Sequence, residues 1–274
     1  MEFSDIDAGL SLCRSAKWNQ LQTDWEIFLH LSPGGCRVAS SANKVIGTVT
    51  TVRYQHFFSW IGMVLVDLDY RRQGIGIQLL EEALEILRGE ETVKLDATPA
   101  GREVYLKLNF VDEYRLSRMN AIVDVTRLES SYARPLQKKD LESLIIFDRE
   151  IFGAGRQSLL EWMWEASPRY AFIIKEENSV QGYCLGRQGY NYTHIGPVIA
   201  DNFIIAKDLV SAALRNCIGK SVILDVLHFD NEWLSWLGDI GFREQRPFIR
   251  MYRGTNAFNA VPEKQFAILG PEFG

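Results

Sequence analysis

The 274-residue sequence predicts an α/β (α+β) protein of two successive related domains, each a twisted mixed β-sheet flanked by helices. Three observations predict this. An apolar, β-branched run at 61–66 turns through a glycine-containing loop into an amphipathic helical pattern. Helix-like and strand-like periodicities alternate along the chain. The order of elements in the first half then returns in the second over roughly a hundred residues.

Composition excludes several classes. With 47% hydrophobic and 24% charged residues, the chain has the make-up of a globular protein. A net charge of −5 argues against nonspecific nucleic-acid binding, which needs a basic surface, and suits a cationic acceptor such as an amine. No apolar run approaches the ~20 residues of a membrane span. The opening Met1-Glu2-Phe3-Ser4-Asp5 is not a signal-peptide pattern. Cys13, Cys36, Cys184 and Cys217 form no Cys-x-x-Cys pair, so reduced thiols in a cytoplasmic protein are expected, with no disulfide frame and no metal.

Residues 5–19 read as a helix with Ile6, Leu10, Cys13 and Lys17 on one side and Ser4 or Asp5 as cap. A second helix is expected over 21–31, broken by Pro33-Gly34-Gly35. Strands at 36–39 and 45–52 flank a hairpin turn at 40–44. Tyr54, His56, Phe57, Phe58 and Trp60 lead into the strand at 61–66. In the central helix Ile77, Leu80, Leu84 and Leu87 share a face opposite Gln78, Glu81, Glu82 and Glu85. A strand at 93–97, a loop Thr98-Pro99-Ala100-Gly101 and a short helix at 102–108 follow. Asn109 ends that helix because it tolerates the left-handed conformation, and strand-like residues run on to Met119.

The junction between strand and central helix carries the chemistry. The first amides of a helix lack intrahelical partners, and the helix dipole favours an anion beside them. Gly74 and Gly76 let backbone approach a diphosphate, and Arg71 and Arg72 add positive charge. The spacing matches neither the nucleoside-triphosphate loop nor the dinucleotide fingerprint.

Arg71-x-x-Gly74-x-Gly76 after a strand resembles the pyrophosphate loop of the GNAT superfamily, the acyl-coenzyme A-dependent N-acyltransferases. Ala97-Thr98-Pro99-Ala100-Gly101, followed by Tyr105, Leu108 and Phe110, is similar to a second GNAT segment, with Asn109 where glycine is usual. The resemblance implies acetyl-CoA as co-substrate, held at Arg71, Arg72, Gln73, Gly74, Ile75 and Gly76. It implies that the strand splays from its neighbour, freeing main-chain groups at Val64 and Val66 for the pantetheine arm and the thioester oxygen. It implies that the two opening helices shape the acceptor side. It also places Tyr105 at the sulfur, as the acid that protonates the departing thiolate. The alternative is a tyrosine that packs its ring or only hydrogen-bonds the coenzyme. Asp67, His56, His30 and a water chain are the candidates for general base.

The second half mirrors the first. Ile195-Gly196-Pro197-Val198-Ile199-Ala200-Asp201 stands as Ile61-Gly62-Met63-Val64-Leu65-Val66-Asp67, and Val222-Ile223-Leu224-Asp225 as Val93-Lys94-Leu95-Asp96. Ile240-Gly241-Phe242 stands as Leu108-Asn109-Phe110, and Gly182 as Gly47. Helices are expected over 141–147 and 158–166, a connector over 120–133, and a polar tail over 257–274 anchored by Phe266, Ile268 and Leu269. Where the first half has its arginines and glycines, the second has Asn202-Phe203-Ile204-Ile205-Ala206, and Leu237 falls near the place of Tyr105. Phe152-Gly153-x-x-Arg156, Gly182-Tyr183, Ile195-Gly196-Pro197 and Arg250-Met251 resemble a GNAT subgroup with an active N-terminal domain and a divergent C-terminal one. One departure is that little sequence precedes Asp5, so a shortened or missing first strand is expected. Arg187, Tyr190, His194, Asp225 and His228 could reach the acceptor; structural roles are the simpler expectation for the two histidines, and an ordinary ion pair for Arg156 and Asp148.

The expectation is therefore a catalytic acetyl-CoA-binding domain at 1–122 and a divergent domain at 123–274. It transfers acetyl to a primary amine of a small molecule or peptide, without nucleic-acid or membrane partners; a homodimer is among the expected assemblies. The rival readings are a non-catalytic coenzyme A-binding module and an interaction scaffold.

Overall fold

The computed structural model describes residues 1–128, 132–257 and 260–274. Residues 129–131 of the expected connector and 258–259 of the expected tail lie outside the described residues. In the first half α1 (Ile6–Ser15) and α2 (Gln22–Leu31) precede β1 (Arg37–Ser41), β2 (Lys44–Tyr54) and β3 (Phe58–Val66). Then come α3 (Ile75–Ile86), β4 (Thr92–Ala97), α4 (Pro99–Lys107) and β5 (Val111–Ile122). The second half adds a short leading strand β6 (Arg134–Pro135), then α5 (Leu141–Phe152), α6 (Gln157–Ala166), β7 (Phe172–Glu176), β8 (Ser179–Gln188) and β9 (Thr193–Ala200). It continues with α7 (Phe203–Leu214), β10 (Ser221–Leu227), α8 (Asn231–Asp239), β11 (Arg243–Gly254) and β12 (Gln265–Ala267). No helix among the described residues is long and apolar enough to cross a membrane.

Local chemistry sets these boundaries. Ala42 and Asn43, both at positive φ, close the β1–β2 hairpin. The segment 98–101, expected as a loop, is the first turn of α4. Thr98 accepts a hydrogen bond from the Gly101 amide, and Pro99 occupies the first helical position, where its missing N–H costs nothing. Asn109 has φ +63, as the sequence predicts. The buried face of α3 is rotated from the expected one: Leu79, Leu80 and Ala83 are buried, whereas Ile77 is 37% exposed.

Among the described residues the two half-sheets join into one sheet of twelve strands in the order β1-β2-β3-β4-β11-β5-β10-β9-β8-β7-β6, with β12 on β9. The joint is a reciprocal exchange. β5, which follows β4 in sequence, pairs with β10; β11, its counterpart in the second half, pairs with β4. The two exchanged strands lie antiparallel at the centre. Gly47 and Gly182 occupy matching places: a Cβ on Gly47 would lie 2.9 Å from Leu79, and one on Gly182 would lie 2.7 Å from Ile205, so each lets its helix close on the sheet.

One apolar core is shared by both halves, joining α1, α2, α5 and α6 through Trp25, Phe28, Phe152 and Leu160. The tail enters it. Phe273 is wholly buried and stacks on Phe28 at 4.4 Å, a burial worth about 1.5–3 kcal/mol. Tyr54 donates to the Phe273 carbonyl at 2.6 Å, Trp60 to the Pro271 carbonyl at 2.9 Å and Arg156 to the Gly274 carbonyl at 3.1 Å. The expected anchors Phe266, Ile268 and Leu269 are buried as well.

Candidate functional site

The site begins where β3 leaves its neighbour. The ladder between β3 and β4 holds only Ser59–Val93 and Trp60–Lys94. From Ile61 onward β3 has diverged, and Met63 at φ +51 marks the bulge against β2. The chain then runs through a braced loop. Asp67 accepts from the Asp69 amide at 3.1 Å, Arg71 Nε donates to the Val66 carbonyl at 3.2 Å, and Gln73 Nε2 donates to the Asp69 carbonyl at 3.3 Å.

Gly74, at φ +85, turns the chain into α3 from a conformation that favours glycine. The amides of Ile77 and Gln78 both donate to the Gly74 carbonyl at 3.0 Å, so those of Ile75 and Gly76 precede the first closed turn. No side chain caps this helix. A Cβ at Gly74 would meet nothing within 4 Å, and one at Gly76 only Val66 Cγ2 at 3.6 Å. Bare amides, open space and two arginines therefore face a cleft of about 660 Å³. Val64, Val66, Arg71, Arg72, Gly74, Ile75 and Gly76 line it, together with the exposed Ile77. The Gln73 side chain is instead used inside the loop. These features fit a coenzyme diphosphate.

Tyr105 forms the wall between this cleft and an inner cavity of about 100 Å³. It borders both, as do Trp18, Val64 and Thr98. Its ring meets Phe110 edge-on at 6.0 Å, and burial pushes its phenol up to about 12, so the group stays protonated through neutral pH. The inner cavity is faced by Gly62 and Met63 of β3, Asp96 of β4, Arg118 of β5, Arg246 and Phe248 of β11, Gln20, and Glu272 of the tail.

Most charges here are already paired. Arg250 holds Asp96 through two contacts of 2.9 Å. Arg118 holds Asp225 at 2.8 and 2.7 Å. Burial raises the Asp225 pKa, but the Arg118 guanidinium and the His194 ring more than offset this and hold it below the usual carboxylate range. Arg246 has no ion-pair partner among the described residues.

The candidates for general base lie elsewhere. Asp67 is bound to Lys44 at 2.7 Å, His56 is mostly exposed with Nδ1 3.5 Å from Glu90, and His30 packs on Phe3. None lines either cavity. Among the polar residues of the second half, Arg187 joins Asp24 and Glu272 in a buried cluster, and Arg14 stacks on Tyr190 at 3.6 Å. Buried His194 has Nε2 3.2 Å from Asp225, and His228 hydrogen-bonds Ser117 at 2.8 Å. Arg156 and Asp148 form a buried bidentate pair. Gln20, Arg246 and Glu272 were not singled out from sequence. No local pattern marks them, because the elements that carry them meet only in the tertiary fold.

In the second half the chain itself fills the equivalent gap. β9 and β10 also part after two paired residues, Thr193 and His194. Here β12 pairs with β9, and the Ile268 amide donates to the Asp225 carbonyl of β10 at 2.9 Å, so the chain occupies its own gap. The Asn202 side chain accepts from the Ile205 amide and caps α7. Leu237 stands at Tyr105: the Phe242 amide donates to its carbonyl at 2.9 Å as the Phe110 amide does to that of Tyr105 at 3.1 Å. Leu237 is buried and has no proton to give.

Comparison with known proteins agrees in both halves. Residues 6–110 match the model of the acetyltransferase (GNAT) family, and residues 144–267 that of an acetyltransferase (GNAT) domain. The holothin acyltransferase of Pseudoalteromonas sp. (strain SANK 73390) is 26% identical over 239 residues, covering 87% of this chain and 81% of that protein. YitH, an uncharacterized N-acetyltransferase of Bacillus subtilis (strain 168), is 24% identical over 153 residues, covering 55% of this chain and 54% of its own length. The crystal structure of a Pyrococcus horikoshii protein described as an acetyltransferase superposes with a TM-score of 0.82 at 24% identity, over 100% of this chain and 94% of that one. A tandem GNAT protein from the clavulanic acid biosynthesis pathway gives 0.63 at 12% identity, over 91% and 94%. With a GNAT match in each half, the chain belongs to the GNAT superfamily of acyltransferases and carries two GNAT domains in tandem.

Proposed function

We propose that the first half is an N-acetyltransferase site for acetyl-CoA and a primary amine, and that the second half is a divergent partner without its own chemistry. The amides of Ile75 and Gly76 receive the diphosphate, with Arg71 and Arg72 beside it. Main chain of the splayed strand around Val64 and Val66 takes the pantetheine amides and faces the thioester oxygen. Acetyl-CoA supplies an activated acyl group. Tyr105 donates its proton to the departing sulfur, and the cavity behind it receives the amine.

The observation that carries this reading is the position of Tyr105 and Val64, shared by a cleft that fits a coenzyme and a cavity of polar groups. The test is thiol release from acetyl-CoA over an amine panel of holothin, glucosamine, tyramine and spermidine; holothin is the acceptor in the name of one relative. The reading expects turnover with at least one amine. Coenzyme binding without turnover across amine classes would favour a non-catalytic binding module.

A further inference from the structure

The tail brings a second carboxylate to the inner cavity; the one from the first half, Asp96, is already held by Arg250 through two contacts. Glu272 is 4% exposed and lines that cavity. Its backbone lies directly on β3: a Cβ at Gly62 would stand 2.6 Å from the Glu272 carbonyl oxygen, two residues before Val64. Arg187 contacts Glu272 Oε1 at 2.5 Å and Asp24 Oδ1 at 3.0 Å. One guanidinium thus serves two buried carboxylates, burial raises the Asp24 pKa, and a visiting cation would complete the pairing of this cluster. Two further guanidinium groups face the cavity: Arg118 is saturated by Asp225, and Arg246 makes no ion pair with Glu272 or any other carboxylate among the described residues.

A second observation points the same way. Gln20 is 5% exposed, lines the cavity and donates through Nε2 to Glu272 Oε1 at 3.1 Å. Its Oε1 is buried without a hydrogen-bond partner. A buried acceptor in that state costs free energy until a donor arrives. A buried carboxylate and an orphan amide oxygen on one wall, with Tyr105 on another, describe a place for an ammonium group.

We infer that Glu272 is the general base for the amine acceptor, with Gln20 Oε1 as the second acceptor that orients the ammonium. The inference rests on the acyl-transfer reading of the first half. One proton of the entering ammonium passes to the Glu272 carboxylate. The freed lone pair forms the C–N bond at the thioester carbonyl while the C–S bond breaks. The sulfur leaves with the Tyr105 proton, the second proton lost by nitrogen restores the phenol, and Glu272 releases its proton to solvent. The products are an amide, a free thiol and one proton. Asp24 is less suited: it does not line the cavity, and the Leu21 amide holds it at 2.6 Å.

Glu272→Gln tests this cleanly. It keeps the side-chain length and leaves Arg187 with Asp24 as a neutral pair, so folding should survive. Acetyl-CoA affinity should stay within twofold, while kcat/KM for the best amine of the panel falls about 100-fold or more. The acid limb of the wild-type pH profile should vanish in Glu272→Gln and persist, with partial activity, in Glu272→Asp. The groups around Glu272 that could mimic this limb are Asp24, Cys13, Tyr54, Arg118 and Arg187, with Asp96 and Arg246 across the cavity. Burial raises Cys13 and Tyr54, which keeps both neutral at working pH. Gln20→Leu should raise KM about tenfold with kcat largely spared.

A second readout needs no turnover: thermal shift of the full chain with each amine alone, expected in the wild type and lost in Glu272→Gln and Gln20→Leu. Glu272→Gln with more than a third of wild-type kcat/KM, or with the acid limb intact, overturns the role. So does acetyl-CoA binding with no amine-induced shift, which leaves the acyl-CoA reading standing. Failure of acetyl-CoA to bind overturns that reading instead, and the amine shift then decides the ammonium site by itself.

Discussion

Replacing Tyr105 with Phe removes one oxygen from the wall between the coenzyme cleft and the inner cavity. Little else should change. The phenol has no hydrogen-bond partner among the described residues, and the edge-on contact with Phe110 at 6.0 Å belongs to the ring. Melting should therefore move by less than about 2 °C. The phenol is available as a proton donor because burial pushes it up to about 12. At an assay pH of about 8 it holds its proton with some four units in hand. A positioned proton donor contributes about 100- to 10,000-fold, and a phenol raised this far, being the weaker acid, belongs at the lower end, about 100-fold. Single-turnover thiol release should fall by that factor, with acetyl-CoA affinity within threefold. No basic limb from this residue should appear below about pH 11. Wild-type rates in Tyr105→Phe would refute the reasoning, as would a phenol titration near pH 9.

Three further results are expected. Gly74→Ala places a Cβ in open space but at φ +85, so it should cost about 1–2 kcal/mol of stability and weaken acetyl-CoA binding; Gly76→Ala, in ordinary contact with Val66, should leave melting unchanged. Both are read by thermal melting and calorimetry. Arg156→Leu leaves Asp148 buried without its cation and should destabilise by about 3–5 kcal/mol in urea unfolding. The Arg134 guanidinium holds Asp140 down at about 2, so this pair contributes stability above the unfolded value of 3.8 that is lost as pH falls through about 2. Arg134→Ala should flatten that acid loss in pH-dependent melting.

Much of the architecture was legible because it is local. The run at 61–66, the glycines at 74 and 76 and the helical pattern after them define strand, turn and helix within one short stretch. The left-handed residue at Asn109 was legible from residue type. So was the repeat, since each pair of matching elements keeps its order. The start of α4 at Thr98-Pro99 departs from the expected loop, and a capping threonine and a proline at the first helical position are its local signals.

The strand exchange was not legible. β5 and β11 are counterparts, and a strand that fits beside β4 also fits beside β10, so nothing in either sequence says which it joins. The rotation of α3 was missed because Ile77 looks like core by spacing, yet it faces the cleft. The inner cavity was hidden for a different reason. Gln20 and Glu272 lie 252 residues apart, and a glutamate in a polar tail carries no sign that it will be buried.

Calorimetric titration of acetyl-CoA into the full chain, and into Gly76→Trp, tests the central claim most directly. The open first-half cradle and the self-filled second half predict one site per wild-type chain. They predict none when an indole occupies the space in front of Gly76. Two sites per wild-type chain, or one that survives Gly76→Trp with unchanged affinity, would contradict the account.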